Sequence, residues 1–293
     1  MPQSVADLAF SPLALPDRAV VQGFFDRARH PLCEYSFGAL FPWQPVFGTS
    51  WAIFADRWLL VRYVVDEEER FVCPVGRDAD VRPVVDACLE LLRRRGGAAR
   101  IDYVPARVAE ALRRAGYTLV DDRDNADYVY AREDLAELPG RRHHGKRNHV
   151  AAFMRAGEHR FEPLGAANWH DAMALAERAC GDLHAPDAVA LVRALQHHER
   201  LGFTSRLLRG HRGLPIGVAL GEPLGAETFV VHFELADRSY PGAYQALGQL
   251  YAREIPTHFR FVNREQDMGA PGLRRAKLSY RPLRMEPSFS VLG

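Results

Sequence analysis

The sequence predicts a mixed α/β (α+β) protein of two similar halves, each a mixed β-sheet flanked by helices. Three observations predict it. Short runs rich in β-branched and aromatic residues end at turn signals. Apolar residues at helical spacing lie between those runs. One broad order of elements then recurs in both halves.

The first half opens with two apolar runs, Trp51–Ala55 and Trp58–Val65, split by Asp56-Arg57, which read as a hairpin. A third strand ends near Phe71-Val72-Cys73. Val81, Val84, Val85, Cys88, Leu89 and Leu92 then follow helical spacing, and Gly96-Gly97 stops that helix. Ile101–Val104 is a short strand, Pro105 opens a helix over Arg107–Ala115, and Gly116 ends it. Tyr117–Val120 and Ala126–Ala131 are two more strands, giving the order β-β-β-α-β-α-β-β.

The second half reads α-α-β-β-β-α-β-α-β. Helical patterns cover Ala167–Cys180 and Pro186–Leu201. Strands follow at Thr204–Leu208, Pro215–Leu220 and Thr228–Leu235. A helix fits Gly242–Glu254, a strand Phe259–Asn263, a short helix Pro271–Ala276, and a last strand Phe289–Val291. The turn signal Pro139-Gly140 puts the boundary between Asp134 and Gly145. The expected domains are 1–138, with a structural role, and 139–293, carrying the active site. Pro74-Val75-Gly76-Arg77-Asp78, the helix entry of the first half, is a poor phosphate loop.

At 47% hydrophobic and 26% charged, the 293 residues have a globular balance that excludes a disordered, collagen-like or coiled-coil chain. No apolar run approaches the roughly 18–20 residues of a membrane-spanning helix. Residues 1–17 lack a basic segment before their apolar stretch, so a cytoplasmic protein is expected. A net charge of +1 implies no global grip on nucleic acid. Cys33, Cys73, Cys88 and Cys180 form no C-x-x-C pair and read as reduced thiols. Basic residues are nearly all arginine, and Lys146 and Lys277 are the two lysines.

Four stretches carry candidate chemistry. Val262 through Tyr280 leaves an apolar strand and packs Asn263, Arg264, Glu265 and Asp267 into one connection, where Gly269 and Gly272 allow tight backbone geometry. The plainer reading is a capped helix start with solvated charges. Arg141 through His149 is basic, with no acid from Arg141 to Arg155, and could hold phosphates or be a solvated linker. Its paired histidines have no carboxylate or thiol at ligand spacing, so no metal is expected. In Phe229–Leu235, strand alternation puts His232 and Glu234 on one face, as a general base or a hydrogen-bonded surface pair. Arg238-Ser239-Tyr240-Pro241-Gly242-Ala243 leads into a helix, whose N-terminal donors suit a phosphate.

The element order is similar to the acyltransferase fold of the GCN5-related N-acetyltransferases (GNAT), with two tandem copies. In that fold the last turn usually reads Q/R-x-x-G-x-G/A and holds a pyrophosphate; here Arg238 and Ala243 fit, while Pro241 removes one donor. Three further motifs act together. Cys33-Glu34-Tyr35-Ser36-Phe37 leads to Phe41-Pro42-Trp43. Asp127-Tyr128-Val129-Tyr130 leads through Leu138-Pro139-Gly140 to Lys146-Arg147-Asn148. Asn263-Arg264-Glu265 leads through Gly272-Leu273-Arg274 to Lys277-Leu278-Ser279-Tyr280 and Pro282. From about Leu15 to Pro282 the chain resembles the bacterial family grouped with the phosphatidylglycerol lysyltransferase C-terminal domain. It departs at Gln266 and Pro271, where acidic residues are expected, and has no multi-span membrane domain.

The resemblance implies movement of an aminoacyl group from aminoacyl-tRNA to an amine or hydroxyl on a lipid, peptide or small molecule, without a separate cofactor. It implies Glu234 or His232 as proton acceptor, and Arg264 or Lys277 facing the developing oxyanion. Asn263, Glu265, Asp267, Gly269, Gly272 and Tyr280 would form the substrate site. Arg142, Lys146, Arg147, Asn148, Arg238 and Gly242 would meet tRNA phosphates. Lys277→Ala and Glu265→Ala are each expected to abolish transfer and leave folding intact. Two rivals remain: an acyl-coenzyme A-dependent acyltransferase, and a non-catalytic module binding tRNA or a related ligand. Bound coenzyme A would favour the first, and binding without turnover the second.

Overall fold

The computed structural model describes residues 4–76 and 80–293, so Arg77 and Asp78 of the helix entry lie outside the described residues. The chain forms two compact units. Unit one takes residues 1–127, 266–269 and 286–293; unit two takes 128–265 and 270–285.

In unit one the chain runs β1 (Ser11–Pro12), α1 (Arg18–Ala28), α2 (Phe37–Phe47), β2 (Ser50–Phe54), β3 (Trp58–Val65), β4 (Glu68–Val72) and β5 (Val75–Gly76). It continues through α3 (Arg82–Arg94), β6 (Arg100–Pro105), α4 (Ala106–Arg114) and β7 (Thr118–Asp121). The apolar face read from sequence in α3, Val84, Val85, Cys88, Leu89 and Leu92, is buried against Leu60, Phe71 and Ile101 of the sheet.

Unit two is built from β8 (Asp127–Ala131), α5 (Arg132–Glu137), α6 (His144–Arg155), β9 (Arg160–Pro163), α7 (Trp169–Cys180), α8 (Pro186–Leu201), β10 (Thr204–Arg209) and β11 (Pro215–Pro223). It closes with β12 (Thr228–Ala236), α9 (Ala243–Glu254), β13 (Phe261–Asn263), α10 (Pro271–Leu278) and β14 (Arg284–Glu286). The last strand, β15 (Ser288–Leu292), joins the sheet of unit one, whose order is β1-β2-β3-β4-β6-β15-β7, with β5 beside β3. The second sheet runs β14-β8-β13-β12-β11-β10-β9.

This differs from the expected division at 138/139. β8 pairs with β13, Val262 opposite Tyr130, and so belongs to the second sheet. β15 pairs with β6 and β7 on either side, burying Val291 in the first core. Hydrophobic period identifies a strand but not its partner. The basic stretch 141–149, for which a solvated linker is the plainer sequence reading, holds a 3-10 turn and the first half of α6.

One irregularity in the second sheet positions the chemistry. β12 pairs with β11 antiparallel, Phe233 opposite Leu220 and then Val231 opposite Gly221. His232 is therefore the extra residue of a β-bulge. Gly221 faces the bulge with no room for a side chain: a Cβ there would lie 2.3 Å from the Val230 carbonyl and 2.6 Å from the Phe229 ring.

Gly221→Ala is expected to destabilise the chain by about 3 kcal/mol or more, the upper range for overpacking. Gly145→Ala in α6, where a Cβ would meet nothing within 4 Å, is expected to stabilise by up to about 1 kcal/mol through helix propensity. Chemical denaturation of both variants measures the two signs; equal effects would contradict the tight bulge.

Candidate active site

Unit two gathers ionisable groups on both faces of its sheet around the bulge. The bulge breaks the alternation that would place His232 and Glu234 together. Val231 and Glu234 line one small cavity under α9, while His232 turns to Glu222 on the other face. The shared face expected from the sequence is thus absent, because one unpaired residue reverses the parity of the strand.

His232 is buried among three groups. Nδ1 lies 2.7 Å from Glu265 Oε1, Nε2 lies 3.1 Å from Glu222 Oε1, and the ring packs 5.2 Å from Phe203. Burial alone would depress its pKa, but hydrogen bonds and charge from Glu222 and Glu265 outweigh it and lift the imidazole to about 9. At neutral pH this is an imidazolium with both ring nitrogens engaged. It cannot accept a proton there, contrary to the role implied for it. Glu265 itself adopts φ +56°, and its backbone N–H donates to Asn263 Oδ1 at 2.7 Å. Asn263 is fully buried in β13, so its side chain serves as a cap that holds the strained residue.

Glu265→Ala therefore no longer isolates chemistry from folding. It strips one counter-charge from a buried imidazolium, a change that costs about 3–5 kcal/mol in comparable buried pairs.

On the α9 face, Arg264 makes a charge-assisted hydrogen bond to Glu234. Burial would lower the guanidinium pKa, and the Glu234 charge with the nearby Tyr130 and Tyr280 phenols raises it instead. Glu234 is thereby committed to Arg264 rather than left as a base. Gly248 of α9 makes space for its carboxylate, since a Cβ there would sit 3.2 Å from Glu234 Oε1. The guanidinium carbon lies 5.1 Å from the centroid of Tyr280. The Lys277 ammonium donates to the Arg264 carbonyl at 2.7 Å, and the Tyr130 hydroxyl donates to the Lys277 carbonyl at 2.8 Å. Tyr280, Arg264 and Glu234 thus line a cavity with room for about one water, and Lys277 joins this cluster at the Arg264 carbonyl.

The remaining expected residues separate by partner. Arg142 pairs with Asp134 at 2.6 Å. Arg147 donates to the carbonyls of Leu138 and Gly140, closing the C-terminal end of α5, and Asn148 bonds the His144 ring at 3.1 Å. Arg238 is exposed. Gly242 adopts φ +87° at the N-cap of α9, and a Cβ there would meet the His149 carbonyl at 2.4 Å. An α6 carbonyl so close to that turn is an electronegative neighbour, unlike the N–H cradle a pyrophosphate needs. Gly272 has an ordinary φ, and a Cβ would meet nothing within 4 Å, so no tight geometry is required of it.

Asp267 and Gly269 belong to unit one. Asp267 is fully buried, accepts from the Gly269 N–H at 3.0 Å and pairs with Arg123 at 3.2 Å. These contacts shape the turn that presents Gly269 at φ +72°. In the same unit Cys33, Glu34 and Asp127 bring a thiol and two carboxylates within 4.8 Å. Gln266 bridges them, accepting from the Cys33 thiol at 3.3 Å and donating to Glu34 at 3.1 Å. An acid at position 266 would add a third carboxylate there, whereas the amide supplies a donor.

Sequence reasoning missed Glu222 and His143. Glu222 ends an apolar strand run, Ile216–Gly221, and a charge there was the available signal. His143 is fully buried, with its two ring nitrogens 3.1 Å from the Pro139 carbonyl and 3.3 Å from the Tyr280 carbonyl. It anchors the residue before α6 to the segment carrying Tyr280.

The His232 clamp predicts a pH dependence of stability. The folded-state pKa is raised above the unfolded value near 6.5, so the contribution is complete below pH 6.5 and is lost as pH rises through about 9. Denaturation midpoints measured from pH 6 to 9.5 should fall across that window. In His232→Gln the same fall should be missing; a wild-type curve flat across the window would contradict the charged clamp.

The chain aligns with a conserved protein of unknown function from Bacteroides thetaiotaomicron at TM-score 0.87 and 29% identity, covering 98% of this chain and 100% of that one. It aligns with L-PGS from Bacillus licheniformis at 0.67 and 13% identity, covering 94% and 92%. A tandem GNAT protein from the clavulanic acid biosynthesis pathway gives 0.51 and 14%, covering 97% and 98%. The last two likenesses establish the fold, two tandem GNAT-like domains. None of the curated sequences compared with the chain matches it. Residues 25–292 match the family described as phosphatidylglycerol lysyltransferase, C-terminal, and the chain belongs to that family.

Proposed function

We propose that the chain is an aminoacyltransferase, moving an aminoacyl group from aminoacyl-tRNA to an amine or hydroxyl acceptor. The observation that carries this reading is the family match across residues 25–292. The donor ester is already activated, so the enzyme needs no cofactor and no covalent intermediate. It has to orient two substrates, exclude water and stabilise an oxyanion. Arg264, held by Glu234, and Lys277, held at the Arg264 carbonyl, are the cations for that oxyanion. Of the residues expected to meet tRNA phosphates, Arg238 is exposed and makes no ion pair among the described residues. The acceptor is a peptide, a small molecule or a lipid met at a membrane surface. Among the described residues no helix is long and apolar enough to cross a membrane. An aminoacyl-tRNA donor implies a cytoplasmic site of action.

The coenzyme A alternative is disfavoured at one place. Pro241 removes a donor from the turn before α9, and the His149 carbonyl lies against Gly242. Neither feature suits a pyrophosphate.

Donor consumption tests the proposal. The purified protein is incubated with a pool of charged tRNAs, and separately with acetyl-coenzyme A, each with a cell extract of metabolites and lipids. Mass spectrometry follows loss of the acyl group. Selective discharge of one aminoacyl-tRNA is expected. Loss of acetyl-coenzyme A alone would support the alternative, and tRNA binding without discharge would leave a binding module. Lys277→Ala should then slow single-turnover transfer by about 100-fold, the lower range for one oxyanion donor. An unchanged rate would remove Lys277 from the site.

A further inference from the structure

Attack on the ester requires a group to take the acceptor's proton, and the groups of unit two nearest the cluster are committed elsewhere. His232 has both ring nitrogens on carboxylates, which engages Glu222 and Glu265 as well. Glu234 is bound by Arg264, and the Lys277 ammonium donates to a backbone carbonyl.

Lys146 stands apart from these. Its Nζ lies 4.2 Å from the centroid of Tyr280, whose other cation neighbour is Arg264. The side chain is half-buried, and among the described residues it makes no ion pair. The cation beside it is unfavourable to an ammonium. Arg264 acts on it from the end of β13. Lys146 is also the third residue of α6, where the positive end of the helix dipole disfavours a cation. Along its own segment the Asp134 carboxylate is paired with Arg142, and Arg147 donates to carbonyls of the α5 end. Burial, and then Arg264, hold its pKa below the ordinary lysine value.

We propose that Lys146, seated on the face of Tyr280, is the proton acceptor of the transfer. This rests on the aminoacyltransferase reading. The acceptor nitrogen or oxygen attacks the ester carbonyl carbon and forms the new C–N or C–O bond. Its proton passes to the neutral Lys146 amine. The carbonyl carbon's bond to the ribose oxygen breaks, that oxygen keeps the electron pair, and the Lys146 ammonium returns the proton to it. No net proton is consumed, and Arg264 and Tyr280 act on Lys146 as positioning residues.

Two measurements test it. The chain has two lysines, so protein labelled with 13C,15N-lysine gives two side-chain signals, assigned with Lys146→Arg. Lys146 is expected to titrate below the ordinary value of 10.5, and Arg264→Gln should move it upward. The second is single-turnover discharge of the aminoacyl-tRNA identified above. Lys146→Arg keeps a cation over the ring but cannot accept a proton, and should lose about 100-fold or more in rate with donor affinity unchanged. A near-normal rate in Lys146→Arg overturns the proposal and leaves the lysine as a charge for phosphates. A titration at or above 10.5 with wild-type discharge intact overturns the step alone. No discharge by the wild-type protein overturns the transfer reading, and the step with it.

Discussion

A charged imidazole stands inside the second sheet, and its two carboxylates hold the surrounding backbone in place. Burying one charge is costly unless partners meet it on every side that water has left. Glu222 and Glu265 meet His232 at its two ring nitrogens. For His232 to reach both, it has to leave the alternation of β12, which the bulge opposite Gly221 permits. For Glu265 to reach it, the chain takes a positive φ just past β13, held by the buried Asn263 amide oxygen. Once Glu265 is fixed on one face, its neighbour Arg264 projects to the other, where Glu234 receives it.

The two faces therefore divide the work. One holds a closed carboxylate–imidazolium–carboxylate set with little exposure. The other brings Arg264 with its Glu234 carboxylate together with Lys277, Lys146 and the rings of Tyr130 and Tyr280. Low dielectric strengthens the attraction of these cations for negative charge that develops beside them. A developing oxyanion is the kind of charge such an arrangement stabilises without reorganising.

Much of the architecture was legible in the sequence. Helices α3 and α8 announce themselves by apolar spacing and clear stops, and the β2–β3 hairpin by its two dense runs around Asp56-Arg57. Helix α6 was hidden because its buried residues, Val150 and Phe153, come late, after a first turn dominated by charge. Sheet membership of β8 and β15 could not be read, since pairing joins residues such as Val291 and Ile101 that are far apart in the chain. The site motif 263–280 was recognisable from its composition. The bulge was not, because an apolar strand carries no mark of where its ladder skips a residue. That one skip separates His232 from Glu234 and gives each its own partner on its own face.

The scarcity of lysine adds weight to the division of roles. All but two of the 38 basic residues are arginine, so where this chain needs only a charge it uses a guanidinium. Arg142, Arg147 and Arg264 illustrate this, each bound by a carboxylate or by carbonyls. A guanidinium stays protonated and spreads its donors over a plane; an amine is a compact donor that can lose its proton. The two lysines occur where those properties differ in consequence: Lys277 reaches the Arg264 carbonyl oxygen, and Lys146 rests on an aromatic face beside a second cation. An arginine at either place would keep the charge and lose the point contact or the proton exchange. The residue choice and the geometry thus favour the same assignment, with Lys277 as a fixed cation and Lys146 as the group whose charge can change.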